Sequence, residues 1–326
     1  MQETRTDDEP TQPPPTTPKV VAVVVTYNRR NLLEATLKCL AKQIHALEHT
    51  VIVDNASADD TEEFLAAAAS PTLSVHRMSK NLGGAGGFAA GIEAASKFRS
   101  DFIWVMDDDI LFEPDTLARL LEANTYLNAE NVRPSFLIPN IFNPEGEPVN
   151  APVLDLRIQS NGNMLITRFL ERGLLPAVSA SFVGMLIPRQ AIDQHGLPIA
   201  EMFIWGDDTE YSFRLTKGRE AGFVVGSAKI THLGRAVELS LTAERDPKRA
   251  ALYFYFYRNN IYNLRKYGSR QKRAAFALSL LKSAASLTRH GDWAKLKVLG
   301  RGVFAGLFFA PRQRRPGFPD SGRARG

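Results

Sequence analysis

The sequence predicts an α/β fold, a mostly parallel sheet flanked by helices and continued by a basic helical C-terminal extension. Three observations carry this. Short β-branched apolar runs alternate with stretches of helical periodicity through residues 20–124, the pattern of a parallel sheet with right-handed crossovers. The runs at 20–25 and 102–106 are almost unbroken in apolar character, as strands covered on both faces are. The strands end in polar clusters, at the carboxyl edge where open α/β sheets bind ligands.

Residues 20–25 form the first strand and end in Thr26-Tyr27-Asn28-Arg29-Arg30. Asn31 with Glu34 reads as a capping box, and Leu33, Leu37, Leu40 and Ile44 recur at helical spacing. Residues 50–53 give a second strand closing on Asp54, and Asp60 with Glu63 caps a helix reaching Ala69. Residues 73–77 are a third strand, followed by Asn81-Leu82-Gly83-Gly84-Ala85-Gly86-Gly87 and a helix from Gly87 to Phe98. The run at 102–106 delivers Asp107-Asp108-Asp109, and Pro114 suits the first turn of a helix to Asn124. Strands at 136–139 and 178–187 bracket a polar segment, and a helix runs from Asp207 through Lys217. Short strands at 222–225 and 229–231 precede His232, and a long helix then presents Tyr253, Phe254, Tyr257, Ile261 and Leu264 on one face.

With 326 residues, 44% hydrophobic and 23% charged, the chain can bury one large α/β core. Its opening, residues 1–18, is Pro-rich without an apolar segment, and is expected to be disordered and neither signal nor anchor. Cys39 stands alone, which excludes an intramolecular disulfide or a thiolate metal cluster and fits a reducing cytoplasmic setting. Net charge is +5, yet residues 265–326 hold fifteen Lys and Arg against Asp292 and Asp320. That tail also carries apolar runs at 274–281 and 303–310, too short to span a bilayer. It reads either as helices lying on an anionic membrane surface or as a helical hairpin packed on the core with a solvated basic face. No nucleic-acid module is recognisable, so no nucleic-acid partner is expected.

Three carboxylates at the end of one strand imply a hard cation. On an extended chain Asp107 and Asp109 share a side, and such a pair can hold Mg²⁺ or Mn²⁺ while the metal grips a diphosphate. The ends at Thr26–Arg30, Asp54, the glycine cluster and Asp107–Asp109 must share one crevice in a parallel sheet. There Asp54 can accept from a base N–H or a ribose hydroxyl and Tyr27 can shape a base pocket, or each can be a turn-former or core aromatic. The glycines resemble a phosphate cradle, but close backbone packing explains them equally well.

In its motifs the chain resembles the inverting nucleotide-sugar glycosyltransferases of family 2, which have the GT-A fold. The likeness spans residues 20–232 and rests on Val24-Val25-Thr26-Tyr27-Asn28-Arg29, Val53-Asp54-Asn55-Ala56-Ser57, Asn81-Leu82-Gly83-Gly84-Ala85-Gly86-Gly87-Phe88, Asp107-Asp108-Asp109 and Trp205-Gly206-Asp207-Asp208-Thr209-Glu210-Tyr211. Within the family it is most similar to bacterial galactofuranosyltransferases, with rhamnosyltransferases next. The resemblance implies a domain at 19–240 that binds a UDP-sugar, and a helical region at 241–326. It places Thr26, Tyr27, Asn28, Arg29 and Asp54 on the donor, Asp54 at uracil, together with Asn81, Gly83, Gly84 and Asp108. Asp107 would serve the ribose or the metal, Asp109 the metal, and His232 would complete the metal shell. Asp208 would be the catalytic base, with Asp207 and then Glu210 as rivals. By its own chemistry Trp205 can stack on the acceptor sugar or be a core anchor.

The implied function is inverting, metal-dependent transfer of galactofuranose from UDP-galactofuranose to a lipid-linked cell-wall or surface glycan, at the inner face of the membrane. The alternative donor is dTDP-rhamnose. A nucleotidyltransferase would want a basic, Gly-rich loop directly after the first strand, where Thr26-Tyr27-Asn28 stands. A non-catalytic glycan-binding protein would have no use for the carboxylates.

Overall fold

The computed structural model describes residues 17–158, 162–218, 220–234 and 239–317. Most of the expected disordered tail, residues 1–16, lies outside the described residues. The first half alternates as the apolar pattern demands: β1 (Val20–Thr26), α1 (Arg30–Leu40), β2 (His49–Asp54), α2 (Thr61–Ala67), β3 (Leu73–Arg77), α3 (Gly83–Ala95) and β4 (Phe102–Asp107). Then come β5 (Ile110–Phe112), α4 (Thr116–Ala129), β6 (Pro134–Phe142), β7 (Val153–Leu154), α5 (Ile166–Phe169), β8 (Leu174–Ser179), β9 (Met185–Pro188), α6 (Arg189–His195), α7 (Asp207–Leu215) and β10 (Ala221–His232). Three helices close the chain: α8 (Pro247–Tyr267), α9 (Arg270–Arg289) and α10 (Trp293–Phe308).

The ten strands form one sheet in the order β3-β2-β1-β4-β9-β6-β10-β8-β7, with β5 paired to β10. β3, β2, β1 and β4 are parallel neighbours. β9 is antiparallel to both β4 and β6, and β10 is parallel to β6, so the two reversals restore the direction and His232 ends at the same edge as Asp107. Strand alternation splits β1 between two cores. Val20, Ala22 and Val24 face Leu33, Trp104 and Leu117 on one side, while Val21, Val23 and Val25 face Phe88, Ile92 and Tyr211 on the other. With both faces covered, no polar residue is tolerated along 20–25, which is why that stretch reads as unbroken.

Local details differ from the sequence expectation. Residues 178–187 are not one strand but the end of β8 and the whole of β9, with a turn through Gly184 at φ 74° between them. Residues 221–232 are one strand whose register slips between Val225 and Lys229. Asn31 lies inside α1, where Glu34 pairs with Arg30 and Lys38 instead of capping, and Ile44 falls beyond the helix and is exposed. Asp60 makes no cap bond; Asp59 accepts from Thr61 N at 3.2 Å in its place.

The glycine cluster is not a loop. Helix α3 starts at Gly83, and a Cβ at Gly87 would sit 2.5 Å from Val25 Cγ1, one at Gly91 2.4 Å from Val23 Cγ1. Bare backbone there lets α3 lie directly on β1. The same device recurs at the C-terminus, where Gly302 and Gly306 let α10 approach α8 until a Cβ on either would be 2.8 Å from the carbonyls of Phe254 and Arg258. The tail is therefore packed helix on helix around Tyr253, Tyr257, Leu287 and Leu299. No described helix is long and apolar enough to cross a membrane.

Candidate active site

Beyond the carboxyl edge of β1, β4 and β10 lies a cleft of about 770 Å³. Thr26, Tyr27, Arg29, Asn81, Gly83, Gly84, Asp107, Asp108, Trp205, Asp207, Asp208 and His232 line it, so most of the sequence candidates converge. Asn28, Asp54 and Asp109 do not line it.

The reasons for those three lie in their partners. Asn28, at φ 53°, receives Ala58 N on its side chain at 2.7 Å and donates its own N–H to Ser57 Oγ at 2.9 Å, stapling the ends of β1 and β2. Asp54, expected at a base, is buried and turned to Ser57 N at 2.9 Å and Arg77 Nη1 at 3.0 Å. Its neighbour Asn55 lines the cleft instead, and binds the start of α3 through the Gly83 carbonyl and Leu82 N, both at 2.9 Å.

The chain bends after Asp107, so the three carboxylates fan out to different partners. Asp108 accepts from Thr26 Oγ1 at 2.6 Å, and Arg29 Nη1 reaches both Asp108, at 3.3 Å, and Asp109, at 3.0 Å. Thr36 on α1 fixes the bend by donating to the Asp108 carbonyl at 2.8 Å and accepting from Ile110 N at 3.2 Å. Antiparallel pairing of β10 with β5 sets His232 against Ile110, which brings His232 Nε2 to 3.2 Å from Asp109 Oδ1. Burial, with the charges of Asp109 and Asp108, pushes Asp107 well above the usual carboxylate range. Burial also works to raise Asp109, but His232 and Arg29 outweigh it and hold that carboxyl low. An additional cation is what such a cluster would accommodate.

The first turn of α7 lines the same cleft. Burial raises Asp207 to about 8, with the charge of Asp208 adding to the effect. Burial raises Asp208 too, but its Oδ1 accepts from Thr209 N at 2.6 Å and Thr209 Oγ1 at 3.2 Å. Those bonds favour the ionised form, and the charge of Asp208 acts on Asp207, so Asp208 is the first of the pair to ionise. Glu210 is excluded as a base. It is fully buried away from the cleft and holds Arg214, Lys266 Nζ at 2.9 Å and the Tyr267 hydroxyl at 2.9 Å.

Residues 21–188 match the family described as Glycosyl transferase family 2. The chain belongs to that family. This glycosyltransferase is 30% identical over 301 residues to Galactofuranosyltransferase GlfT1 of Mycolicibacterium smegmatis, across 86% of this chain and 96% of that one. It is 28% identical over 298 residues to GlfT1 of Mycobacterium tuberculosis H37Rv, across 87% of this chain and 96% of that one. The solved structure described as GalNAc-T7 with UDP, GalNAc and Mn2+ shares the fold at a TM-score of 0.51 and 13% identity, over 74% of this chain and 51% of that one.

Residues outside the sequence candidates complete the site. The segment 203–206 leading into Asp207 is held with positive φ at Phe203 (62°), Trp205 (60°) and Gly206 (93°), a costly backbone for the two aromatics. Helix α8 holds it there. Asn259 Nδ2 donates to the carbonyls of Met202, Ile204 and Trp205 at 2.8, 3.1 and 2.9 Å, and Asn263 Nδ2 to that of Gly206 at 2.8 Å. Two amides four residues apart inside an aromatic helix were the available signal, since apolar surroundings leave such groups no solvent to bond.

Among the described residues no three His, Cys, Asp or Glu side chains form a ready metal-holding group. Two donors nevertheless fit one. Asp109 Oδ1 is buried without an aligned hydrogen bond, 3.2 Å from His232 Nε2, and adjacent ligands of an octahedral Mg²⁺ at about 2.1 Å lie about 3 Å apart. His232 Nδ1 lies 2.9 Å from Asn150 Oδ1, and the tautomer that donates there would present Nε2 as a lone pair to a metal.

Proposed function

We propose that this glycosyltransferase moves galactofuranose from UDP-galactofuranose to the hydroxyl of a lipid-linked glycan with inversion. The observation that carries the reading is that Asp208 and the Asp107–Asp108 end of β4 line one cleft. Likeness to GlfT1 over 86% of the chain supports the sugar. Residues 19–240 would form the donor-binding domain and 241–326 the helical platform that fixes its catalytic loop.

Asp208 Oδ2 takes the proton of the acceptor hydroxyl as that oxygen attacks the anomeric carbon. The new C–O bond forms opposite the breaking bond to the diphosphate, which inverts the centre. Asp207, the second of the pair to ionise, adds no second negative charge beside the base while it keeps its proton. Arg29 faces the departing diphosphate with its guanidinium, and Asp109 and His232 would hold Mg²⁺ or Mn²⁺, whose chemistry is to neutralise that leaving group. Trp205, against Tyr253 and Phe256, offers a ring face to the acceptor sugar.

The membrane surface is the proposed partner of α9 and α10. Phe304 and Phe308 are 66% and 71% exposed with rings 5.1 Å apart, Leu307 stands between them, and the tail carries the excess of positive charge. Anionic headgroups complement that charge and the phenylalanines add an apolar term. This would seat the enzyme peripherally at the inner face of the membrane.

The deciding experiment is a donor screen with purified full-length protein, UDP- and dTDP-sugars, and an acceptor glycan. Release of UDP from UDP-galactofuranose above all other donors supports the reading, and preference for dTDP-rhamnose replaces the sugar. Replacing Phe304, Leu307 and Phe308 by Ser should weaken co-sedimentation with anionic vesicles about tenfold or more. Unchanged sedimentation removes the membrane role and leaves the donor assignment standing.

A further inference from the structure

At the C-terminal end of α7 lies a second cavity of about 510 Å³, lined by His195, Arg214, Lys217, Lys266, Arg314 and Arg315 among others. Its size is that of an ordinary small-ligand pocket. No acidic residue lines it among the described residues. Carboxylates stand only behind its wall, where Glu210 holds Arg214 and Lys266, Glu93 holds Arg314 Nη2 at 3.1 Å, and Glu220 faces His195 Nε2 at 3.0 Å. Lys217 and Arg315 are exposed, and their side chains have no partner among the described residues.

The cavity is built, not incidental. The strap after α10 is fastened across the end of α6 by Leu197 N donating to the Arg314 carbonyl at 2.8 Å, and Gly196, at φ 78°, makes room for it, since a Cβ there would be 2.5 Å from that carbonyl. Arg314 Nε is buried within this arrangement and has no hydrogen-bond partner. Side chains from α6, the end of α7, the end of α8 and the strap are thus brought to one concave surface on which, among the described residues, Lys and Arg, and no Asp or Glu, are the charged residues. Like charges gathered this way create a positive potential that a compact polyanion would neutralise, and guanidinium forks match phosphate oxygens.

We infer that this cavity is a binding site for a phosphate or diphosphate group, distinct from the donor cleft and contacted by Lys217, Lys266, Arg314 and Arg315. The shared chemistry is a phosphate with at least two charged oxygens, carried either by a small soluble ion or by a membrane lipid. The strap follows α10, which ends at Phe308, and the inference depends neither on the face proposed to meet the membrane nor on the donor sugar.

The test uses the full-length protein and a Lys217→Ala/Arg315→Ala variant, neither residue touching the catalytic cleft. Inorganic diphosphate is titrated calorimetrically in excess chelator, and in parallel the proteins are sedimented with vesicles containing phosphatidic acid or, at matched charge, phosphatidylglycerol. Arg29→Ala reports any binding in the donor cleft. A loss of about tenfold or more in diphosphate affinity in the double variant, with Arg29→Ala unchanged, establishes the site for a soluble phosphate. A similar loss confined to phosphatidic acid vesicles establishes it for a lipid phosphate monoester. Absence of binding in both arms, or binding that the double variant leaves intact, overturns the inference. Circular dichroism of the variant, expected to match the parent, keeps the comparison valid.

Discussion

The side chain of Asn259, fully buried on α8, donates to the main-chain carbonyl of Trp205 at 2.9 Å, three residues before Asp208. The amide thereby fixes a strained segment whose next residues carry the proposed base. Asn259→Asp preserves the shape but turns a donor into an acceptor aimed at three carbonyls. Turnover should fall on the order of 10- to 100-fold, since a misplacement of about 1 Å near a reacting group costs that much. The donor KM should change little, because the donor-side residues are held by β1, β4 and α3. Steady-state kinetics with varied donor checks this, and an equal loss in the two parameters would show that the clamp supports the whole cleft.

Asp208→Asn keeps size and hydrogen-bonding reach but cannot accept a proton. Turnover should drop by on the order of 10² to 10⁴ with UDP affinity retained, as read by single-turnover kinetics and calorimetry. Full turnover in the variant would reassign the base to Asp207.

The acid limb of activity follows from the same pair. Asp208 is raised by burial, and a base works only when ionised, so kcat/KM should rise with pH through a midpoint above the ordinary carboxylate range and then level off. The charge of Asp208 adds to the rise of Asp207, to about 8, so the pair loses its first proton from Asp208. Asp207→Asn should accordingly leave the midpoint in place. A pH profile whose midpoint drops by a unit in that variant would show that Asp207 carries charge in the active form.

Asp109→Ala removes the buried oxygen that faces His232 at 3.2 Å. UDP affinity should weaken roughly 10- to 100-fold with Mn²⁺ present and hardly change in excess chelator. Calorimetry under both conditions decides, and equal losses in the two would take Asp109 out of any metal site.

The glycines of α3 separate packing from ligand contact. Gly87→Ala drives a methyl to 2.5 Å from Val25 and should destabilise by about 1–3 kcal/mol in urea unfolding. Gly84→Ala meets nothing within 4 Å and, lying in a helix, should stabilise by about 0.4–1 kcal/mol. Matching effects at the two positions would mean that α3 does not seat on β1 as described.

Strand identity in the first half was legible because it is a local property. A run such as 20–25, buried on both faces, permits only apolar residues, whereas β3 over 73–77, at the edge of the sheet and without a buried residue, carries only Leu73 and Val75 in alternation with polar neighbours. The triple carboxylate and Asp207-Asp208 were legible too, since several acids beside a buried strand or helix start need a reason beyond solubility. By itself the sequence thus determined the α/β class, the edge of the sheet that holds the cleft, and the short set of acids in it. Tertiary structure alone decided which partner each acid has. Glu210 became a buried tie to Arg214 and Lys266, Asp54 turned to Arg77, the glycine cluster became a helix seated on β1, and Asn259 became the clamp on the segment that leads into α7. A residue's periodicity is written in its neighbours along the chain, but the partners that satisfy a buried polar group can be distant: Arg77 lies 23 positions from Asp54, Lys266 56 from Glu210 and Met202 57 from Asn259.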